Sequence, residues 1–432
     1  MLQRNLSRWL SRMADDMHMI AIYSEREHIV RGERKRSVVM VDPSCYSLPY
    51  DYSLCQALAS QGWSVALERS RFLYGDFRLA CDVEVRERFY RVAHQFSGSR
   101  GMIWKCLKGV EHVSGTMDLL RRARKERPDI IHYQWLTAPA VEARFFEHLS
   151  RIAPLVLTLH NTTLFHGKPC TRFQGLGFRS VFKHLDAVIV HSEYSKRRIV
   201  EENWITPENV HVIPHGVLDL YARSQQEQQL TASGNVILFF GAIAEYKGLD
   251  VLLRAFAKMP DEVRDGSRIV VAGRPNMNME PIFELARELG IESRIEWRLR
   301  FLQDDEVLEV FRMATVVALP YREIDQSGVL LTAIGFDKPV VATRIGGIAE
   351  TIEHGKHGML VEPGNADGFA QSFCSVLEDT TRRESMQQEI RQLRVNQLSW
   401  ESIGRRTIGL YESLIARRST TKPAKAPVVA AV

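Results

Sequence analysis

Short apolar runs rich in β-branched residues alternate with stretches of helical periodicity along the chain. This alternation is typical of parallel sheets whose strands are joined by crossover helices. In the first half, segments such as 53–61 and 195–203 have helical periodicity. The predicted strands of this half are 37–42, 64–69, 130–136, 154–160, 187–192 and 210–216. The pattern predicts a doubly wound, Rossmann-like α/β domain at 37–220.

A polar segment at 221–235 contains almost no large apolar residues, which is typical of an interdomain linker. Beyond it the same alternation resumes. The predicted strands are 236–241, 268–273, 294–299, 316–321, 338–343 and 359–363. We therefore predict a second doubly wound domain at 236–398 and a final helix at 399–417. Ligands of such sheets bind beyond the carboxyl ends of the strands, so the substrate site is expected in the central cleft between the domains.

The composition adds few constraints. A chain of 432 residues suits two domains, and a net charge of +5 suits a nucleotide or an anionic membrane surface rather than a nucleic acid. The six cysteines lack the spacing of metal ligands or of a disulfide framework, which favours a cytoplasmic protein without a metal site. Residues 1–36 are predicted to be an N-terminal extension, and the Pro/Ala-rich residues 418–432 a disordered tail.

One segment of the first half, residues 97–125, mixes bulky apolar residues with Arg and Lys. This composition is typical of an interfacial helix on anionic lipid. An ordinary basic surface helix explains it equally well. The sequence therefore leaves peripheral membrane binding open, and the longest apolar run, 236–244, is too short to span a bilayer.

Candidate chemistry lies at the predicted strand ends of the second domain. Lys247 follows the strand 236–241, where a lysine can bind a phosphate together with the free amides of the next helix. Gly273 and Arg274 follow the next strand and can line the same cleft. Either signal alone also fits an ordinary solvated loop.

The stretch 321–350 strengthens this interpretation. Gln326 or Ser327 is expected to cap a helix, and Gly328 lets backbone amides approach an anionic or hydroxylated ligand closely. A second glycine-lined turn precedes Glu350. Two amide-presenting turns around one cleft predict a site for a diphosphate and a sugar.

These segments occur in the order and spacing found in the family 4 retaining glycosyltransferases, which the chain resembles closely over about 205–415 and more loosely before that. The matching motifs are Phe240-Gly241, Lys247-Gly248, Gln326-Ser327-Gly328-Val329, 338–342 and 346–350. The resemblance implies the GT-B fold, a nucleoside diphosphate sugar as donor substrate and no cofactor. It places donor-binding residues at Gly241, Gly273, Arg274, Gln326, Ser327, Gly328 and Val329, and the phosphate-binding lysine at Lys247.

Three positions depart from the family pattern. Ala242 replaces an arginine, and Ile324 and Thr332 replace two glutamates. We predict Glu323 as the catalytic carboxylate, with Asp325 as the alternative, and one hydrogen bond from Thr332 to the donor. The Gln-Ser-Gly-Val variant resembles a branch that makes bacterial surface polysaccharides.

The first domain is expected to bind the acceptor. His160 lies at a strand end and, by the resemblance, faces the transferred sugar in a catalytic position. Tyr50 and Tyr52 are expected to stack on a sugar ring, and His191 to lie near the cleft. For His191 a structural role is at least as well supported as a functional one.

The resemblance implies a hexosyltransferase that acts with retention on a lipid-linked saccharide in the cytoplasm, at the inner face of the membrane. Alternatives on the same fold remain open: a sugar-nucleotide epimerase, or a catalytically inactive binding subunit suggested by Ala242 and Thr332. A phosphorylase is disfavoured because no lysine environment suited to pyridoxal phosphate is found in the sequence. Nothing in it resembles a nucleophile triad.

Overall fold

The computed structural model describes residues 34–73, 83–96, 101–162, 177–218 and 234–421. Nearly all of the predicted extension at 1–36 and of the predicted linker at 221–235 lies outside these ranges.

The first domain is built on a seven-stranded parallel sheet with the strand order β3-β2-β1-β4-β5-β6-β7. Its strands are β1 Ser37–Asp42, β2 Ser64–Ser70, β3 Glu84–Phe89, β4 Ile130–Tyr133, β5 Leu155–Thr158, β6 Ala187–Val190 and β7 Val210–Val212. Its helices are α1 Leu48–Ser60, α2 Met102–Glu126, α3 Pro139–Leu149, α4 Phe178–Phe182 and α5 Glu193–Glu201. Apolar clusters cover both faces of the sheet, as the strand composition predicts.

The second domain is built on a six-stranded parallel sheet with the order β10-β9-β8-β11-β12-β13. Its strands are β8 Asn235–Phe240, β9 Ser267–Ala272, β10 Ile295–Arg298, β11 Val316–Leu319, β12 Val340–Thr343 and β13 Gly358–Val361. Its helices are α6 Leu249–Ala257, α7 Asp261–Asp265, α8 Glu280–Glu288, α9 Asp304–Met313, α10 Gly328–Gly335, α11 Gly346–Thr351, α12 Ala366–Glu378 and α13 Thr380–Asn396. Two doubly wound sheets confirm the predicted α/β fold.

The last helix, α14 Trp400–Thr421, returns to the first domain and packs on α1. Trp400 donates its indole N–H to the carbonyl oxygen of Val217 at 2.9 Å. Tyr411 lies with its hydroxyl 2.6 Å from Nδ1 of the buried His132. The helix extends to Thr421, beyond the predicted end at residue 417.

Two parts of the first domain differ from the sequence prediction. Strand β3 was not predicted, because its sequence EVRERF carries charges and it lies at the sheet edge with half of its residues exposed. Helix α1 begins at Leu48, earlier than expected, since Pro49 fits the first turn of a helix where no amide hydrogen is required.

Candidate active site

The carboxyl ends of the two sheets meet across the cleft. Asp325, in the loop after β11, accepts hydrogen bonds from the backbone N–H of Thr162 at 2.7 Å and from its hydroxyl at 2.8 Å. Arg198 of α5 forms an ion pair with the same carboxylate at 2.9 Å. Asp325 is buried, and its negative charge is balanced by this contact with the first domain. It therefore joins the two domains beside the predicted donor site.

Lys247 lies in the turn between β8 and α6 and is buried, with 6% of its surface exposed. Its Nζ atom is 3.4 Å from the carbonyl oxygen of Phe240 and 5.6 Å from the ring centre of Tyr321. No carboxylate of the described residues lies within ion-pair distance of Lys247. Burial lowers the pKa of this ammonium group to about 8, so most of it is charged at neutral pH.

Two glycines bring the backbone close to this lysine. Gly241 has a φ of +92°, and a Cβ atom there would lie 2.9 Å from Nζ of Lys247 and 3.3 Å from a methyl of Val329. Gly273 has a φ of +148°, and a side chain there would overlap the carbonyl oxygen of Gly241. The structure thus brings together Gly241, Gly273, Lys247 and Val329, as the strand-end positions predict.

Helix α10 begins beside these residues. Ser327 caps it by accepting a hydrogen bond from the backbone N–H of Leu330. Gly328 is exposed, whereas Oε1 of Gln326 is buried and has no hydrogen-bond partner among the described residues. Free amides at this helix start and the positive charge of Lys247 form one anion-binding region.

Three other predicted donor or catalytic residues lie elsewhere or are already engaged. Thr332 is buried and donates its hydroxyl to the carbonyl of Gly328 at 2.9 Å, so the prediction that it binds the donor is not supported. Glu323 is exposed and lines a surface cavity with Arg322 and Glu245 that Lys247 does not line, and its catalytic role stays a prediction. Arg274 is exposed in the loop after β9.

A chain of histidines lies at the first-domain side of the cleft. Nδ1 of His191 lies 3.0 Å from the carbonyl oxygen of Ile213, so this nitrogen carries the proton and Nε2 accepts one from Nδ1 of His160 at 3.2 Å. The remaining Nε2 of His160 is then an acceptor, and it has no partner among the described residues. Burial lowers the pKa of both rings, so they stay neutral at pH 7.

The two tyrosines predicted to stack on a sugar are not at the surface. Tyr50 and Tyr52 are only 2% and 5% exposed, because the early start of α1 directs them into the core. Tyr50 instead packs edge-on against His160, with ring centres 4.7 Å apart. The prediction of a stacking role for these two rings is therefore wrong.

Sequence reasoning missed Trp135 and Tyr46. Trp135 stacks on His160 with ring centres 4.9 Å apart, and Tyr46 meets its edge at 5.8 Å. Trp135 falls in a predicted strand and Tyr46 in the loop after β1. The strand-end rule that selected His160 would also have selected them.

Glu350, predicted to follow a glycine turn, forms a second contact between the domains. Its carboxylate accepts hydrogen bonds from the backbone N–H groups of Glu193 and Tyr194 at 2.6 and 2.7 Å. These are the first two residues of α5, so a residue of the second domain caps a helix of the first.

Comparison with known proteins identifies the family. The model described as "Glycosyltransferase Family 4" matches residues 50–218, and the model described as "Glycosyl transferases group 1" matches residues 234–379. The two matches together span well over half of the chain. The chain belongs to the family 4 glycosyltransferases. The GT-B fold inferred from the resemblance is confirmed.

The three glycosyltransferases described next are each 25% identical to this chain or less. A D-inositol 3-phosphate glycosyltransferase of Corynebacterium glutamicum is 25% identical over 330 residues, covering 71% of this chain and 77% of that protein. HepE of Anabaena, solved with UDP and with UDP-glucose, superposes with TM-scores of 0.62 and 0.60 at 18% and 19% identity, covering 88% of this chain and all of HepE. WaaG, a glycosyltransferase involved in lipopolysaccharide biosynthesis, gives a TM-score of 0.60 at 16% identity, with 87% and 99% of the two chains covered.

The described residues contain no cluster of three or more His, Cys, Asp or Glu side chains that could hold a metal ion. None of their helices combines the length and apolar character that a membrane crossing requires.

Proposed function

We propose that this glycosyltransferase moves a hexose from a nucleoside diphosphate sugar, with retention, to a lipid-linked saccharide of a bacterial surface polysaccharide. The observation that carries the donor assignment is the buried charge of Lys247, which has no carboxylate partner in the described part of the chain. A buried cation is costly unless an anion accompanies it, and a diphosphate supplies that anion. The UDP-glucose complex of HepE supports the same class of donor.

The proposed chemistry uses groups on both sides of the cleft. The bond between the sugar C1 and the β-phosphate oxygen breaks, the acceptor hydroxyl oxygen bonds to C1 on the same face, and its proton passes to the leaving phosphate. Lys247 and the amides at the start of α10 stabilise the negative charge that grows on this phosphate. Nε2 of His160 accepts a hydrogen bond from a hydroxyl of the transferred sugar.

Neither Glu323 nor Asp325 acts as nucleophile or base in this proposal. Glu323 points to a different cavity, and Asp325 is held by Arg198 and Thr162. The leaving phosphate therefore serves as the base. The step needs neither cofactor nor metal, and transfer is expected to continue in excess EDTA and to give a product whose anomeric configuration by NMR matches that of the donor.

The donor assignment is tested by thermal shift with UDP-, GDP- and ADP-sugars, because a ligand of the native state raises the melting temperature. One base is expected to stabilise the wild type. In Lys247→Met the affinity for this nucleotide sugar and the rate of transfer should each fall by about a hundredfold, and the thermal shift should shrink accordingly. This is the usual effect of losing a charge-assisted contact to a developing anion.

Lys338→Met is the matched control. Lys338 is another largely buried lysine whose pKa burial lowers to about 8, but it donates to the carbonyl of Arg312 and lies outside the anion-binding region. Its loss should reduce stability while nucleotide binding is retained. Equal nucleotide binding by the two variants would place the diphosphate elsewhere, and the absence of any shift with all three nucleotide sugars would remove the donor assignment.

The lipid-linked acceptor is supported by helix α2. Met102, Ile103 and Val110 are 81%, 86% and 67% exposed, and Lys105 and Arg121 lie on the same helix. Apolar and basic side chains together on an exposed helix are suited to an anionic membrane surface. We infer peripheral binding there, consistent with the lipopolysaccharide pathway named for WaaG.

This localisation has its own test. The protein should float with phosphatidylglycerol-containing vesicles at low salt and be released by about 0.5 M NaCl, because the attraction is electrostatic. The variant Ile103→Glu should reduce flotation at least severalfold without changing nucleotide binding. Equal flotation of wild type and variant, or none at low salt, would contradict membrane binding through α2.

A further inference from the structure

Two aromatic rings stand at the acceptor side of the cleft beyond the histidine chain. Tyr46, in the loop after β1, is 59% exposed, and Trp135, after β4, is half-buried. The ring planes of Tyr46 and Trp135 are nearly perpendicular, at 80°. Trp135 also stacks on the ring of His160, with an angle of 19° between the two ring planes. We call Tyr46 and Trp135 the aromatic pair.

The aromatic pair lies at the edge of the first sheet that meets the second domain. His160 is separated by one residue from Thr162, which contacts Asp325 across the cleft. The carboxyl ends of β1, β4 and β5 lie side by side in the sheet, so the loops that carry Tyr46, Trp135 and His160 meet at this edge. An acceptor entering the cleft beside the transferred sugar therefore meets these rings.

The ring of Trp135 is fixed in place by a chain of hydrogen bonds. Its indole N–H donates to the hydroxyl of Ser47 at 2.7 Å, and that hydroxyl donates to the carboxyl group of Asp51 at 3.3 Å. Asp51 and Asp42 are both fully buried, and burial raises the pKa of both carboxyl groups, with the nearby Asp42 raising that of Asp51 further.

The other end of this buried pair holds the loop that carries Tyr46. Asp42 accepts hydrogen bonds from the backbone N–H groups of Ser44 and Cys45 at 3.2 and 2.9 Å. These two buried carboxyl groups therefore position both members of the aromatic pair, Asp51 through Ser47 and Asp42 through the loop backbone. A network of this kind restricts their conformations before any ligand binds, which lowers the entropic cost of binding.

We propose that Tyr46 and Trp135 bind the apolar C–H face of a neutral pyranose ring at the acceptor end of the substrate. This inference rests on the proposed transferase function and names its acceptor class. Aromatic rings combine a large apolar surface with low conformational entropy, and sugar rings present a matching face of C–H groups. The hydroxyls of Ser44 and Thr137, 2.9 Å apart, lie beside the pair and can bind sugar hydroxyls.

The charges around the aromatic pair favour a neutral acceptor over a phosphorylated one. Arg69 contacts Cys45 but is buried and forms an ion pair with Glu87 at 3.0 Å. An anionic acceptor such as an inositol phosphate, named for the relative in Corynebacterium glutamicum, would find no unpaired cation among these residues.

The test uses saturation-transfer NMR on the full chain with bound UDP, with methyl β-D-glucopyranoside, methyl β-D-galactopyranoside and myo-inositol 1-phosphate as separate probes. Saturation is expected on the ring C–H protons of at least one methyl glycoside. The Tyr46→Ala variant should weaken binding about tenfold, the size of one stacking contact, while the affinity for UDP stays unchanged. Tyr46→Phe, which keeps the ring, should retain binding.

The second variant, Trp135→Phe, keeps an aromatic ring at this position but removes the indole N–H. It should weaken glycoside binding severalfold with the thermal shift by UDP preserved. Binding of UDP without binding of either glycoside, or binding that Tyr46→Ala leaves unchanged, would overturn the acceptor inference alone. Failure of UDP itself to bind would overturn the proposed function as well.

Discussion

At the scale of single residues, the protein uses two similar lysines for different purposes. Lys247 is buried and Lys338 is partly buried, and burial lowers the pKa of each to about 8. Lys338 donates to the carbonyl of Arg312 at 2.9 Å, whereas Lys247 has only a 3.4 Å contact with a carbonyl. The glycines around Lys247 leave its ammonium group accessible to a ligand oxygen, so position rather than protonation distinguishes the two.

The lowered pKa of Lys247 predicts how nucleotide binding depends on pH. The charged form is lost as pH rises through about 8, so UDP affinity should fall by up to tenfold per pH unit between pH 8 and 10. Titration calorimetry at several pH values, in two buffers of different ionisation enthalpy, should also detect proton uptake on binding near pH 8.5. A flat profile in the wild type, or the same slope in Lys247→Met, would contradict this assignment.

Sequence reasoning placed Gly241 and Lys247 of the second domain better than Tyr50 and Tyr52 of the first, for a physical reason. Gly241 and Lys247 follow a long apolar strand, and the strand-end rule depends only on strand positions. Tyr50 and Tyr52 were misplaced because the start of α1 depends on Pro49 and on burial against α14, which is distant in sequence. The engagement of Thr332 within its helix also requires the local backbone geometry.

At the scale of elements, helix α5 is the point at which the second domain contacts the first most specifically. Glu350 caps its N-terminus, and Asp325 pairs with Arg198 on the same helix. Asp325 lies in the loop after β11, and Glu350 lies in helix α11, which follows the adjacent strand β12. Movement of α5 would therefore change the position of the donor loops relative to His160.

Removal of the charge of Glu350 should loosen this contact. In Glu350→Gln the interaction of the carboxylate with the helix N-terminus is lost, at a cost of about 1 kcal/mol, which shifts an open–closed equilibrium about fivefold. Small-angle scattering should show a larger radius of gyration for the ligand-free variant than for the wild type. Glu362→Gln, which removes an exposed pairing with Arg344, is the control and should scatter like the wild type.

The elements themselves were largely predictable. Each of the twelve predicted apolar strands is present, although several are shorter than their apolar runs. Strand β3 could not be recognised because the edge position permits charged side chains, and Arg86 there pairs with the buried Glu68. Its position in the sheet depends on this pairing rather than on apolar periodicity.

At the scale of the whole molecule, buried neutral histidines couple stability to pH. Burial lowers the pKa of His132 and His215 to about 3 and that of His191 to about 4, below the unfolded value near 6.5. Between pH 6.5 and about 4 the unfolded chain binds more protons, so the free energy of unfolding decreases as pH falls. The raised pKa of the Asp42–Asp51 pair acts in the opposite direction, because the folded state retains a proton.

We therefore predict that the protein is less stable in acid. The free energy of unfolding should fall by about 1.4 kcal/mol for each unit by which pH decreases, for each histidine whose effect is not offset by the Asp42–Asp51 pair. Urea unfolding at pH 7.0, 5.5 and 4.5 measures it. The variant His132→Asn, though less stable at pH 7, should show a slope shallower by one proton. Stability that is constant across this range, or an unchanged slope in the variant, would mean that these rings do not remain neutral in the folded protein.

The return of helix α14 to the first domain also affects how the chain is made. Trp63 packs on Tyr411 with ring centres 5.3 Å apart, so a surface of the first domain is covered by residues that leave the ribosome after the whole second domain. During translation the second domain has its whole sheet before the first domain can bury this surface. We expect nascent chains that stop at residue 398 to expose Trp63 to protease and chaperones while the later half is already protected. The half that binds the donor therefore matures before the half that receives the sugar.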